Sequence, residues 1–103
     1  MKKILLIEDN AFLRRTTADI LELSGYQVVQ ACDGKEGVDV ANSELPDMIV
    51  CDVEMPELDG YGVLHYLSSN PRTARIPFIF LTSRDGAGEV RRGMSSGADD
   101  YLV

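Results

Sequence analysis

Three stretches of the 103-residue chain carry side chains suited to metal and phosphoryl chemistry. Glu8-Asp9 follows the apolar run Ile4-Leu5-Leu6-Ile7. Asp52 follows Ile49-Val50-Cys51 and precedes Val53-Glu54-Met55-Pro56-Glu57-Leu58-Asp59-Gly60. Thr82 follows Phe78-Ile79-Phe80-Leu81. Carboxylates brought together repel, and they raise one another's pKa unless a cation neutralises them. A hard divalent ion such as Mg²⁺ is held by one or two carboxylates, water and a phosphate oxygen. A carboxylate beside such an ion can attack phosphorus and form an aspartyl phosphate. The protein's share of phosphoryl transfer is mainly positioning and charge screening, to which a hydroxyl such as that of Thr82 can add. Each residue alone has a plainer explanation. Asp52 starts a turn, as Asp often does. Asp9-Asn10 caps a helix. Thr82 ends a strand. The chemistry requires that the fold gather them.

The elements that would do so can be read along the chain. Lys3 to Glu8 is a first strand, in which Ile4-Leu5-Leu6-Ile7 is apolar without alternation, as a strand buried on both faces is. Ala11 to Ser24 has helical periodicity, with Leu13, Thr17, Ile20 and Leu21 as the inward stripe and Gly25 placed to end it. Gln27 to Ala31 is a second strand and Asp33-Gly34 a turn. Lys35 to Asn42 is a short helix with Val38 and Ala41 inward, weakened by Gly37. Met48 to Cys51 is the third strand, and Asp52 stands where it leaves the sheet. Tyr61 to Ser69 is a helix with Leu64 and Leu67 inward. Phe78 to Leu81 is the fourth strand, opened by Pro77. Glu89 to Ser96 is a helix ended by Gly97, and Asp100 to Val103 is the fifth strand. Alternating strands and helices imply one domain with a parallel sheet and right-handed crossovers. In such a sheet all the carboxyl ends share one edge, where sites are built. Glu8, Asp9, Asp52 and Thr82 all fall there.

Composition narrows the classes. Seventeen acidic against ten basic residues give a net charge of -7. With no basic stripe, direct nucleic-acid binding is not expected. No apolar run is long enough to span a membrane. Met1-Lys2-Lys3 and Ile4 to Ile7 mimic a signal peptide only briefly, since Glu8-Asp9 interrupts them. Cys32 and Cys51 read as small buried hydrophobes in a reducing cytosol, and a cytoplasmic location is the expectation.

The chain resembles, along its whole length, the receiver (response regulator) domain of bacterial two-component signalling. The resemblance rests on Ile7-Glu8-Asp9-Asn10, on Asp52-Val53-Glu54-Met55-Pro56-Glu57-Leu58-Asp59-Gly60, on Ile76-Pro77 with Leu81-Thr82-Ser83, and on Gly97-Ala98-Asp99-Asp100-Tyr101-Leu102. It implies an α/β flavodoxin-like three-layer sandwich with a five-stranded parallel sheet in the order 2-1-3-4-5. It implies that Asp52 is the phosphoacceptor and that Asp9 and Asp52 bind Mg²⁺ directly. Glu8 would act through water, and the Glu54 main-chain carbonyl would be a further ligand. Thr82 would hydrogen-bond the phosphoryl group and Tyr101 would be the switch aromatic, while Glu54 and Arg84 would flank the site and tune dephosphorylation. The implied partner is a sensor histidine kinase or a histidine phosphotransfer protein, with an output domain or effector downstream. Such domains catalyse their own phosphorylation and dephosphorylation, as switches rather than dedicated enzymes.

Two features depart from the family pattern. Glu8 stands where many relatives carry Asp. The family's lysine would follow Val103 directly, and neither it nor a fifth helix is in the sequence. The expectation is a chain cut before both, with a bared apolar face that could support a dimer. Two other readings remain at this stage: a phosphorylation-independent interaction module, and a Mg²⁺ phosphohydrolase with an aspartate nucleophile. The second is disfavoured because the first strand ends Glu-Asp rather than in an Asp-x-Asp pair. His65 and Arg91-Arg92 read as solvated surface. Phe12 and Leu23 are open between core and partner contact.

Overall fold

The computed structural model describes residues 1–81 and the backbone of the strand at 100–102. The expected helix Glu89 to Ser96 lies outside the described residues, as do Thr82, Arg84, Val103 and the side chain of Tyr101. The strands are β1 (Lys3–Ile7), β2 (Gln27–Ala31), β3 (Met48–Asp52), β4 (Phe78–Leu81) and β5 (Asp100–Leu102). The described helices are α1 (Ala11–Leu23), α2 (Gly34–Glu44) and α3 (Gly60–Ser68). The strands pair in parallel, in the order β2-β1-β3-β4-β5. Ile7 is in register with Ala31 and Cys51, and Asp52 with Leu81. Ends distant in sequence therefore share one edge.

Both faces of β1 and β3 are covered, which is why these strands lack alternation. Leu5, Ile7, Ile49, Cys51, Phe78 and Phe80 point to one face, where α2 contributes Ala41 and α3 contributes Tyr61, Val63, Leu64 and Leu67. Phe80 stacks at a tilt on Tyr61 and edge-on to Phe78, with ring centroids 4.9 and 5.2 Å apart. Ile4, Leu6 and Val50 point to the other face, against Ala18 and Leu21 of α1.

Side-chain oxygens cap each described helix at its start. Asn10 accepts from the Leu13 N–H at 3.0 Å, Asp33 from Glu36 at 2.7 Å, and Asp59 from Gly62 at 2.9 Å. Glu36 also reaches back to the Cys32 N–H at 3.0 Å, a reciprocal cap. α1 is followed by Gly25 at φ +99°, the left-handed position that favours glycine. α2 ends on Leu45 at φ 46°, a conformation a β-carbon disfavours.

Four sequence expectations need correction. Leu13 and Ile20 are exposed, at 44% and 58%, while Ala18 is fully buried. At 100° per residue, Leu13 and Ile20 lie roughly 140–160° around the helix from Ala18, so they cannot share its contact. α2 begins before Lys35 and runs to Glu44, because Asp33 caps it from the turn. Gly37 does not weaken it: a β-carbon there would fall on the Ile7 side chain, so the glycine lets α2 lie close on the sheet. Cys32 is exposed, since it has already left β2; only Cys51 is buried.

Candidate functional site

The site forms where β1 and β3 leave the sheet. The Glu8 N–H still donates to the Ala31 carbonyl at 3.1 Å, which holds the residue beside the sheet after β1 has ended. Its side chain is only 4% exposed. Asp9 is exposed, and Asp52, the last residue of β3, is half-buried. One carboxylate oxygen from each of Glu8, Asp9 and Asp52 lies within 4.8 Å of the others. Glu8 Oε2 accepts from the Asn10 N–H at 3.1 Å. A cavity of about 370 Å³ opens above the three, lined by Asn10, Leu13, Thr17 and Leu81 besides the acids.

Burial pushes the Glu8 carboxyl up to about 7, helped by its contact with Asp9 and by the charges of Asp52 and Asp9; the Asn10 N–H pulls the other way. Burial also raises Asp52, as do Asp9 and Glu54, against the hydrogen bonds from Glu8 and the Val53 backbone. Without a cation, two acids of the cluster are thus biased toward the protonated form. A hard divalent ion would remove that cost, and three oxygen donors at this spacing suit one. The donor set fits Mg²⁺.

The loop after Asp52 is pinned from the α2–α3 face. Val53 and Met55 are buried. The Gly60 N–H donates to the Val53 carbonyl at 2.9 Å. A β-carbon on Gly60 would fall on the Asp52 carbonyl and 2.7 Å from Phe80 Cε1. Only glycine lets α3 start so close to the end of β3. Leu58 wedges between Gly34 of α2 and Gly62 of α3, where a β-carbon on either glycine would strike it. Glu57 takes φ 66° to make the turn.

Of the residues singled out in the sequence, the fold brings Glu8, Asp9 and Asp52 together. Glu54 lies exposed on the loop. Thr82 lies outside the described residues, but Leu81 before it lines the cavity. Tyr101 lies in β5, in register with Phe80. His65 is exposed on α3, as expected. Sequence reasoning missed Gly60, taken only as a turn residue, and Arg14, whose Nη1 donates to the Glu8 carbonyl at 2.9 Å. The only signal for Arg14 was a basic residue one turn into the helix that follows the acidic pair.

The model of the response regulator receiver domain family matches residues 4–103. The chain belongs to this family. A probable transcriptional regulator, ycf27, of Cyanophora paradoxa is 41% identical over 99% of this chain, which spans 41% of that protein's length. A gliding motility regulatory protein of Myxococcus xanthus is 39% identical over 98% of the chain, and there the match spans 13% of the protein. Among solved structures, the chemotaxis protein CheY4 of Vibrio cholerae superposes with a TM-score of 0.93 at 28% identity, covering 100% of this chain and 86% of that one. The receiver domain of Francisella response regulator 1452 gives 0.90 at 32% identity, covering 99% and 83%. A receiver domain is a module of two-component signalling, and the flavodoxin-like sheet found here, β2-β1-β3-β4, is the order expected of one. Among the described residues of this receiver domain, no helix is long and apolar enough to cross a membrane.

Proposed function

We propose that Asp52 is the phosphoacceptor of this receiver domain, with Mg²⁺ held by Asp9, Asp52, the Glu54 carbonyl and, through water, Glu8. One observation carries the reading: three carboxylates from two adjacent strand ends lie within 4.8 Å of one another, beside a cavity. The donor is a phosphohistidine on a sensor histidine kinase or phosphotransfer protein. An Asp52 carboxylate oxygen forms a bond to phosphorus as the phosphorus–nitrogen bond breaks, and the imidazole keeps the electron pair and takes up a proton. The bound cation supplies charge neutralisation to the phosphoryl oxygens.

The chain's own residues do the rest. Gly60 and the buried Val53 hold the acceptor's main chain. Asn10 aims the Glu8 carboxylate. Thr82, directly after the cavity-lining Leu81, donates to the phosphoryl group, and Tyr101 follows it as the switch aromatic. Glu54 and Arg84 tune the return reaction, in which water releases phosphate. The phosphorylated surface then acts on an output domain or effector in the cytoplasm.

Acetyl phosphate with Mg²⁺ tests this. The expected result is a mass gain of one phosphoryl group, which does not form when Mg²⁺ is chelated beforehand and is absent in Asp52→Asn. Labelling that persists in Asp52→Asn, or that ignores Mg²⁺, would refute it.

A further inference from the structure

The turn that carries Glu8 and Asp9 has little apolar anchoring. Ile7 and Glu8 are buried, but Asp9, Asn10, Ala11 and Phe12 are exposed. Polar bonds hold it instead. The Asn10 N–H donates to Glu8 Oε2 at 3.1 Å, and Asn10 Oδ1 accepts from Leu13 at 3.0 Å. The Arg14 N–H donates to the Asn10 carbonyl at 2.8 Å. Arg14 then reaches back: Nη1 donates to the Glu8 carbonyl at 2.9 Å, closing a ring from Glu8 to Arg14. The side chain is half-buried, and among the described residues it forms no ion pair. The guanidinium is thus bonded to the backbone carbonyl of one of the three acids.

We infer that Arg14 is a positioning residue for the cation site, fixing through the Glu8 carbonyl the turn that sets Glu8 and Asp9 against Asp52. The inference rests on reading the acidic cluster as a divalent-cation site. It adds a residue that would touch neither the cation nor the phosphoryl group. Charge and geometry predict opposite signs here. Removing a nearby positive charge by itself strengthens cation binding, because repulsion falls. Removing a bond that orients the ligands weakens it, typically by tenfold or more.

Mn²⁺ affinity of the whole chain, read from the electron paramagnetic resonance of free Mn²⁺, separates the two. Arg14→Met is expected to bind about tenfold more weakly than wild type. Arg14→Lys, which keeps a charged N–H donor, returns most of the affinity. Arg15→Met removes the same charge from the exposed neighbouring position and binds as wild type or slightly tighter. Equal or tighter binding by Arg14→Met, with wild type binding normally, overturns the inference and leaves the cation site standing. Loss in Arg14→Met with no return in Arg14→Lys also overturns it. Wild type binding no better than Asp9→Ala and Asp52→Asn refutes the cation site, and the inference falls with it. If Arg14→Met lacks the wild-type far-UV circular dichroism, Arg14→Gln carries the same comparison.

Discussion

The two faces of the sheet hold the two halves of the site by different means. On the α2–α3 face a continuous core runs from Leu5 through Phe80 to Leu67. It reaches the loop after β3 through Val53, Met55 and Leu58 and fixes the main chain of Asp52 by close packing. On the α1 face the described core is smaller: Ile4, Leu6, Ala18 and Val50, with Leu21, Val28, Met48 and Leu81 around them. There the turn bearing Glu8 and Asp9 is tied by hydrogen bonds from Asn10 and Arg14. Asp52 is set by apolar packing, which is non-directional and costly to disturb. Glu8 and Asp9 are set by directional bonds of about 1 kcal/mol each, or somewhat more where one partner is charged.

The largest effect should come from the packed face. Phe80→Ala removes a fully buried ring that touches Tyr61 and Phe78, and should cost about 3–5 kcal/mol in urea denaturation. A loss below about 1 kcal/mol would mean that this face does not hold β3 and the Asp52 that ends it.

The polar side should show itself through pH. Glu8 has a folded-state pKa of about 7 against an ordinary 4.5. Between these values the folded, metal-free chain retains a proton that the unfolded chain has released. The stabilisation is complete below about 4.5 and is lost as pH rises through about 7. Asp52, also raised, adds in the same direction. Metal-free stability should therefore fall by up to roughly 3 kcal/mol between pH 5 and 8. Glu8→Gln should remove most of that fall, and Mg²⁺ should offset it at the alkaline end by binding the folded chain. A metal-free melting temperature that rises over this range would contradict the clustering.

A smaller effect tests the loop between β3 and α3. Glu57 occupies a left-handed conformation at φ 66°. Glu57→Gly should stabilise the chain by about 0.5–1 kcal/mol, since relief of the left-handed strain exceeds the added chain entropy. Destabilisation would show that the Glu57 side chain holds the loop.

The smallest effect belongs to the outer side of α1. Ile20 and Leu23 are 58% and 88% exposed. Ile20→Ala and Leu23→Ala should each change stability by less than about 0.5 kcal/mol in dilute solution. A larger loss that grows with protein concentration would place these residues in an association surface.

Much of this was legible before folding. The unbroken apolar runs of β1 and β3, ended by acids, identified central parallel strands, and the strand–helix alternation put their ends on one edge. Glu8, Asp9 and Asp52 followed from that, and the caps Asn10 and Gly25 from local rules. What failed has one physical source. Periodicity reports which residues are apolar, not which face a neighbouring element covers. Leu13 and Ile20 therefore read as core, although the contact of α1 is centred on the small Ala18. Cys32 read as buried because it follows the apolar residues of β2, although the chain leaves the sheet after Ala31 and leaves it exposed. Gly37 read as a weak point and Gly60 only as a turn residue, whereas Ile7 and the Asp52 carbonyl occupy the space a β-carbon would need. The sequence by itself determined the strand ends and the chemical types gathered there, because both are local properties of the chain. Only the tertiary structure decided that three carboxylates come within 4.8 Å, that burial lifts Glu8 to about 7, and that Arg14 turns back to hold its carbonyl. Those depend on distances between segments far apart in sequence, and packing sets them.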